Sequence, residues 1–489
     1  MATPAVCPRP STPPAACSSP PWEELSLPAT PKSASDSAAT GPPRLTLRPA
    51  GDRRRRTPKP LGITDAGPAR RVVLPVVDAR HHLHIAGTTG KGKSTELLHL
   101  ALADIEAGRG IAVIEPRGDL IRDLLDRMPH DAGQRLVLID PDEEIAPAAL
   151  NVLDPAGLGG ETVAEHLVST LHRLYSSWWG PRVEDTLRAA TYTLTGRPGS
   201  TLADIPLLLT NSRFRTEATR RIRREDPTGI GAFWNAYDKL TPSAAAQQAG
   251  PVLSKLRAVT VRRFVADLYG TATSSFDPAD VLDGGILLAR LPKGELGEDS
   301  ARLVGSLLVA SLWQAAIGRS HQPEHTRADA TILIDEAQNF LNLPTPLGDA
   351  LAESRGYHVG WVLAHQHLDQ LTPSLARALD ANARNKLFFG VSPDDARHLA
   401  AHIGPHLNAG DLTRLARYQA ACRLSVDNRD TTGFTLRTIA PPPVINGRGD
   451  ELRAAARAHG IDRATRDRAR SRRTFATRAP HHSTDLDLD

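Results

Sequence analysis

Two short stretches of this sequence hold residues whose types and spacing suit phosphate chemistry. The first is Gly87-Thr88-Thr89-Gly90-Lys91-Gly92-Lys93-Ser94, which fits the glycine-rich pattern G-x-x-x-x-G-K-[ST]. Glycines at 87, 90 and 92 let the backbone turn tightly, so that successive N–H groups aim at phosphate oxygens. Lys93 then reaches the β- and γ-phosphates of a nucleotide, and the Ser94 hydroxyl ligates Mg²⁺. With Thr95, these residues form the candidate nucleotide-binding set. The second stretch, Thr331-Ile332-Leu333-Ile334-Asp335-Glu336, is an apolar run that ends in two acids. Asp335 is placed to orient the ion held by Ser94, and Glu336 to take a proton from the attacking water or to orient it.

Each stretch needs particular elements around it. Leu83–Ala86 is an apolar run that ends a buried strand, and residues 94–105 carry Leu and Ala at helical spacing. A strand leading into the loop and a helix leading out are what a P-loop requires, because the helix turns its positive end to the anion. A chance glycine-rich turn is the competing reading. It is disfavoured because the chain has only 8 lysines against 51 arginines, and two of the 8 fall in this loop. An acid pair at a strand end is common by itself and becomes informative only downstream of such a loop. The next apolar run, Trp361–Ala364, leads into His365-Gln366, where an amide can bond the γ-phosphate or its water. A plain loop amide is the equal alternative on these grounds.

Around these sites the rhythm is β-α-β, which predicts an α/β domain with a mostly parallel sheet. Strands are expected at 71–77, 83–86, 111–115 and 136–140, and again at 286–291, 330–335, 360–364 and 386–391. Two closing edge strands are expected at 418–424 and 433–438. Residues 159–276 show helical periodicity instead and read as an insertion, with Trp178, Trp179, Phe233, Trp234 and Tyr237 as its core aromatics rather than base-stacking platforms. The domain limits are therefore 1–65 (tail), 66–158 (core), 159–276 (insertion), 277–440 (core) and 441–489 (basic tail with a helix near 451–473). Fourteen prolines in the first 60 residues argue that the first tail is disordered. Its Arg53–Arg56 run reads as a solvated charge patch, with phosphate or anionic lipid as the alternative contact.

Composition narrows the function classes. Three cysteines, Cys7, Cys17 and Cys422, exclude a disulfide framework and suit a reducing compartment. No Cys/His cluster shows zinc spacing. His81, His82 and His84 read as structural rather than metal-ligating. The apolar run at 303–318 contains Ser306, Ser311 and Gln314 and is short for a span, so a buried helix explains it better. The expected location is the cytoplasm, at a membrane only through partners. The net charge of +4 is uneven, with nine Lys/Arg against four Asp/Glu in residues 1–62 and ten against seven in 441–489. The core between them is net acidic, so bulk attraction to nucleic acid belongs to the tails.

Six stretches together carry a resemblance: HIAGTTGKGKST, VIEPRGDL, WWGPRVEDTLRAA, PVLSKLRAV, ILIDEAQNF, and VLAHQHLDQL followed by NARNKLFFGVSPDDARHLA. In that order they resemble the HerA/FtsK-type DNA-pumping ATPases, most of all the TraD/TraG-like conjugative coupling proteins. The resemblance implies a RecA-like P-loop NTPase fold and hydrolysis of ATP with Mg²⁺, the ion held by Ser94 and Asp335. It makes Lys93, Asp335 and Glu336 catalytic and Gln366 a sensor. Arg355, eleven residues before Gln366, would be the arginine that enters a neighbouring subunit's site. It also implies a homo-oligomeric ring, usually a hexamer, that threads DNA, with a relaxase or secretion-channel proteins as partners. Anchored coupling proteins begin with transmembrane helices, and this chain shows none. The rival readings are a protein remodeller or secretion ATPase that does not act on DNA, and a regulatory ATP-binding module.

Overall fold

The structure, a computed structural model, describes residues 56–155, 158–468 and 471. Its frame is one eleven-stranded sheet. The strands in chain order are β1 (Lys59–Thr64), β2 (Arg71–Leu74), β3 (Leu83–Ala86), β4 (Gly110–Glu115), β5 (Leu136–Ile139), β6 (Ile286–Arg290), β7 (Ala330–Ile334), β8 (Val359–His365), β9 (Asn385–Phe388) and β10 (Gln419–Arg423). The two-residue strands β11 (Ser425–Val426) and β12 (Arg429–Asp430) pair apart, and β13 (Phe434–Arg437) returns to the main sheet. The order across it is β2-β1-β13-β10-β9-β3-β8-β7-β4-β6-β5. From β9 to β5 every pairing is parallel, and from β2 to β9 every pairing is antiparallel. The parallel strands are buried along their length, which is why they read as unbroken apolar runs instead of alternating ones.

Helix α1 (Lys93–Glu106) follows β3, and its Leu97, Leu98, Leu100, Ala101, Leu102 and Ile105 are all buried. Helix α2 (Asp119–Leu125) follows β4. Between β5 and β6 the described residues form helices and no strands. The longest are α3 (Gly160–Leu174), α4 (Pro181–Thr195) and α5 (Pro242–Val261). Trp234 and Tyr237 are core residues there, with ring centroids 5.6 Å apart, and the Trp234 indole donates to Thr193 Oγ1. The insertion shares one apolar cluster with the sheet: Leu171 and Leu187 belong with Val304, Ile332 and Trp361. Helix α6 (Glu298–Gly318) is buried nearly all round. The segment Glu298–His321 is long and apolar enough to cross a membrane, and 67% of its apolar window is buried inside the protein. Packing against neighbouring helices, α3 among them, within the shared apolar cluster accounts for that composition. After it come α7 (Leu347–Ser354), α8 (Pro373–Asn382), α9 (Pro393–Leu399) and α10 (Arg448–Ala456). Helices α8 and α9 start where Thr372 and Ser392 cap the backbone and a proline takes the first turn.

Both assigned tails need correction. Residues 59–64, inside the 1–65 tail, are strand β1, paired with both β2 and β13. The strand holds because Lys59 is buried against a specific partner set. Its Nζ donates to Asp104 Oδ2 and Thr331 Oγ1, both at 2.6 Å, while Arg109 Nε pairs with Asp104 Oδ1 at 2.5 Å. Because β1 covers β13, the strands expected to close the sheet are internal, and β2 is the edge. The expected strand at 71–77 stops at Leu74, and a helical turn begins at Val76.

At the other end, α10 is docked on the core rather than trailing. Leu452 and Ala456 are buried, Arg453 pairs with Asp140 at 2.7 Å and Arg457 with Glu143 at 3.0 Å. Asp140 also holds Arg290 at 2.7 Å. Further on, Arg466 donates to the Ala148 carbonyl at 3.2 Å. The Pro-rich residues 1–55 and the acidic end at 472–489 lie outside the described residues.

The cluster around Asp104 gives a stability prediction. Removing a partner from a buried ion cluster leaves an uncompensated charge, at a cost of about 3–5 kcal/mol. Asp104→Ala strands two cations and should lose that much in urea unfolding, whereas Lys59→Met leaves Asp104 paired with Arg109 and should cost clearly less. Equal losses in the two variants would show that the pairing does not hold β1 in place.

Candidate nucleotide site

The register of three neighbouring strands assembles the site. Ala86 pairs with His365 and Ile334 with Leu363, so the residues just past β3, β7 and β8 emerge together at the carboxyl end of the sheet. Ligands of open parallel sheets bind there. The residues concerned are the P-loop, Asp335-Glu336 and Gln366.

The P-loop is braced from behind. Thr88 donates through its N–H and its hydroxyl to the Gly390 carbonyl, both at 3.0 Å. The Lys91 carbonyl accepts from Tyr418 N–H at 2.8 Å. Gly92 has φ 120°, and a Cβ there would meet the Tyr418 and Phe389 rings at 3.0 and 3.2 Å. Gly90, at φ 79°, faces open space. Lys91 turns away from the loop's concave side, its Nζ donating to the Leu415 carbonyl at 3.1 Å. Lys93 is buried, and its Nζ donates to the Gly87 carbonyl at 2.6 Å. Ser94 is exposed and Thr95 half-buried at the open N-terminus of α1.

Opposite stand the acids. The Glu336 N–H donates to Asp335 Oδ1 at 3.0 Å, and Glu336 itself sits at φ 50°, a left-handed backbone rare for a non-glycine residue. Its carboxylate is the hub of the site. It accepts from the Gln366 amide, from Gln338 Nε2 at 3.0 Å and from Arg117 at 3.4 Å. Gln366 Oε1 in turn accepts from Thr89 Oγ1 at 2.9 Å. One hydrogen-bonded path therefore runs from the P-loop through Gln366 to Glu336.

The electrostatics are those of a site short of positive charge. Burial and the adjacent Glu336 carboxylate push Asp335 up to about 6, against the pull of Lys93. Burial also pushes Glu115, at the end of β4, up to about 7, although it accepts from Gly118 N–H at 2.6 Å. Burial lowers Lys93, with Asp335 and Glu336 holding it up. Buried carboxylates crowded on one ammonium, an exposed serine hydroxyl and an open helix N-terminus fit a polyphosphate with a divalent cation. Ser94 and Asp335 would hold the ion.

Sequence reasoning left several of these residues out. Arg117 and Glu115 belong to VIEPRGDL, where nothing in the spacing ties them to Glu336 and Asp335. Beneath the site His84 and His365 stack, with their Nε2 atoms 2.7 Å apart, so one imidazole donates to the other. Burial lowers both, His365 to about 4, and keeps the pair neutral. His82 bonds the Leu351 carbonyl at 2.7 Å and accepts from Trp361 N–H. The structural reading of these histidines fits those partners. Arg355 is not brought to the site. It is exposed where α7 ends, before β8 begins, so the seven residues of β8, about 20 Å of strand, separate it from Gln366.

No protein-family model matches the sequence, and no curated protein matches it. Solved structures do match its fold. The unbound conjugative coupling protein TrwB superposes with a TM-score of 0.56 at 16% identity, over 80% of this chain and 93% of that one. This chain has the TrwB fold. The TrwB complex with the non-hydrolysable ATP analogue ADPNP gives 0.57 at 15% identity, over 81% and 94%. VirB4 of Thermoanaerobacter pseudethanolicus gives 0.50 at 16%, over 81% and 97%. The architecture is thus RecA-like, with the helical insertion between β5 and β6.

Glu115 sets a pH test. Its folded value is raised from an ordinary 4.5 to about 7. The stability gained from its bound proton is complete below 4.5 and is lost as the pH climbs through 7, a change of about 3 kcal/mol. Glu115→Gln keeps a hydrogen-bond acceptor and has no charge to lose. It should gain on the wild type between pH 5 and pH 8 in urea unfolding, and parallel pH profiles would contradict the assignment.

Proposed function

We propose that the protein is an ATP-hydrolysing motor of the coupling type, which moves DNA in conjugative transfer. The observation that carries the hydrolytic part is the path Thr89–Gln366–Glu336. It joins the P-loop to a candidate base, as expected where phosphate binding must be reported to the residue that handles water. Lys93, released from the Gly87 carbonyl, is placed to face the β- and γ-phosphates. Ser94 and Asp335 would hold Mg²⁺, which would supply neutralisation of the phosphate charge. Glu336 takes the proton of the attacking water, and Gln366 fixes its orientation. Nucleotide and metal are supported by analogy, since TrwB is described in complex with ADP and Mg²⁺ and with ADPNP. DNA as the load rests on the TrwB-like fold and on the sequence resemblance. On this reading the protein works in the cytoplasm, with a relaxase or secretion-channel proteins as partners, and reaches a membrane through partners.

Glu336→Gln keeps the hydrogen-bonded path but removes the base. ATP should still bind while turnover falls by about 10²–10⁴. Lys93→Ala should lose both. Near-normal turnover in Glu336→Gln would give the base role to another group. The DNA part is tested by turnover with and without DNA. Stimulation should be indifferent to sequence and fall with salt, by about −0.9 in the log–log slope per phosphate contact on duplex. Absence of stimulation at low salt with single- and double-stranded DNA would favour the protein-remodelling alternative.

Assembly in a ring, a hexamer, rests on the resemblance, and the exposed position of Arg355 leaves it able to reach a neighbouring subunit. Too far from its own P-loop, it is free to act on a neighbour's, where an arginine is worth about 10³ or more in rate. Arg355→Ala should bind ATP and scarcely hydrolyse it. Mixed with Lys93→Ala it should regain activity at hybrid interfaces. Failure of the mixture to recover, in samples shown to exchange subunits, would leave Arg355 as a simple helix-end residue.

A further inference from the structure

Away from the nucleotide site, three metal-type side chains converge between α8 and α9. Asp380 lies in the last turn of α8, and His398 and His402 stand one helical turn apart on α9 and the short 3-10 turn that continues it. Their donor atoms all lie within 4.8 Å of one another. Asp380 Oδ2 is 2.9 Å from His398 Nε2, and its Oδ1 is 3.0 Å from His402 Nε2. Ligands on one tetrahedral ion with bonds of 2.0–2.1 Å are about 3.3 Å apart, so the two carboxylate–imidazole separations need to widen by only a few tenths of an ångström, and the imidazole nitrogens already lie within 4.8 Å of each other. We propose that Asp380, His398 and His402 form a binding site for a divalent transition ion of the zinc class, distinct from the Mg²⁺ of the nucleotide site.

Two imidazoles with one carboxylate suit zinc and its neighbours and are poor ligands for magnesium or calcium. The ligands are held in place by the surrounding fold. Lys386 is buried under the site, and its Nζ donates to the Leu379 carbonyl at 2.9 Å, which fixes the end of α8. The Phe388 ring packs edge-on against His402 at 6.4 Å, and His402 against His398 at 6.0 Å. Burial opposes ionisation of Asp380, yet the hydrogen bonds from His402 and His398 prevail and hold it down at about 2. His398 is half exposed, which leaves a solvent side for a fourth ligand such as water.

The ion would cross-link two helices that bear on the sensor. Asp395 on α9 accepts from Leu368 N–H at 3.0 Å and contacts His367 Nδ1 at 3.2 Å, immediately after Gln366. An ion joining α8 to α9 therefore tightens the segment that aims Gln366. Its expected effect is on stability first.

The test uses the full chain, stripped with a chelator and titrated with Zn²⁺, without nucleotide. The wild type should take up one more ion per chain than His398→Gln, and its melting temperature should rise where that of His398→Gln does not. Affinity in Asp380→Asn should fall by at least the 10–100-fold that loss of even an outer partner costs. His398 is half exposed, so its replacement leaves the fold intact, and Mg²⁺ in place of Zn²⁺ should shift the wild type no more than it shifts His398→Gln. Equal uptake and equal thermal shift in wild type and both variants would overturn the site, as would wild-type protein that takes up no Zn²⁺ at micromolar concentrations.

Discussion

Parallel pairing of β3, β8 and β7 in a single register is the constraint on which the rest of the molecule depends. A strand alternates sides at every residue, so a slip of one position would turn Glu336 or Gln366 away from the P-loop. With the register as found, three segments far apart in sequence end at the same level. The burial that enforces this is extreme, since β3, β7 and β8 have no exposed residue. The apolar strands thus fix, to within a hydrogen-bond length, where a few polar groups stand.

That placement has an electrostatic cost, concentrated where chemistry is needed. Asp335, Glu336 and Glu115 share a poorly solvated space with Lys93 and the half-exposed Arg117. Asp335 and Glu115, whose charge burial suppresses, are the carboxylates a cation stabilises most. The neutral His84–His365 pair beneath them adds no charge to the balance. The unusual backbone of Glu336 belongs to the same economy of space: a left-handed residue two positions past the strand points its side chain toward Gln366.

What the sequence discloses follows from how locally each feature is encoded. The P-loop and the acid pair are contiguous and tied to chemistry, so their residue types give them away. The buried parallel strands and the helical insertion follow from run length and periodicity. Strand β1 is hidden because Lys-Pro-Leu-Gly-Ile-Thr follows a proline-rich region and its stabilising partners, Asp104 and Thr331, are 45 and 272 residues away. The docking of α10 is hidden for the same reason, since it depends on Asp140 and Glu143. Arg117 looks like any loop arginine until β4 is set beside β7. The Asp380–His398–His402 group shows only one helical spacing, and its third member comes from another helix.

The strand order also governs how the chain must be made. β3 carries the P-loop, and both strands that flank it, β8 and β9, lie near the other end of the chain. The contact of Thr88 with Gly390 spans 302 residues. At a synthesis rate of about 5–20 residues per second, the segment around β3 waits on the order of 15–60 s on the ribosome before either neighbour exists. Throughout that interval Leu83 and Ile85 of β3 lack both of the strands they pair with. The nucleotide pocket is therefore among the last parts of the protein to close, and the nascent chain has to be shielded until its final third has emerged.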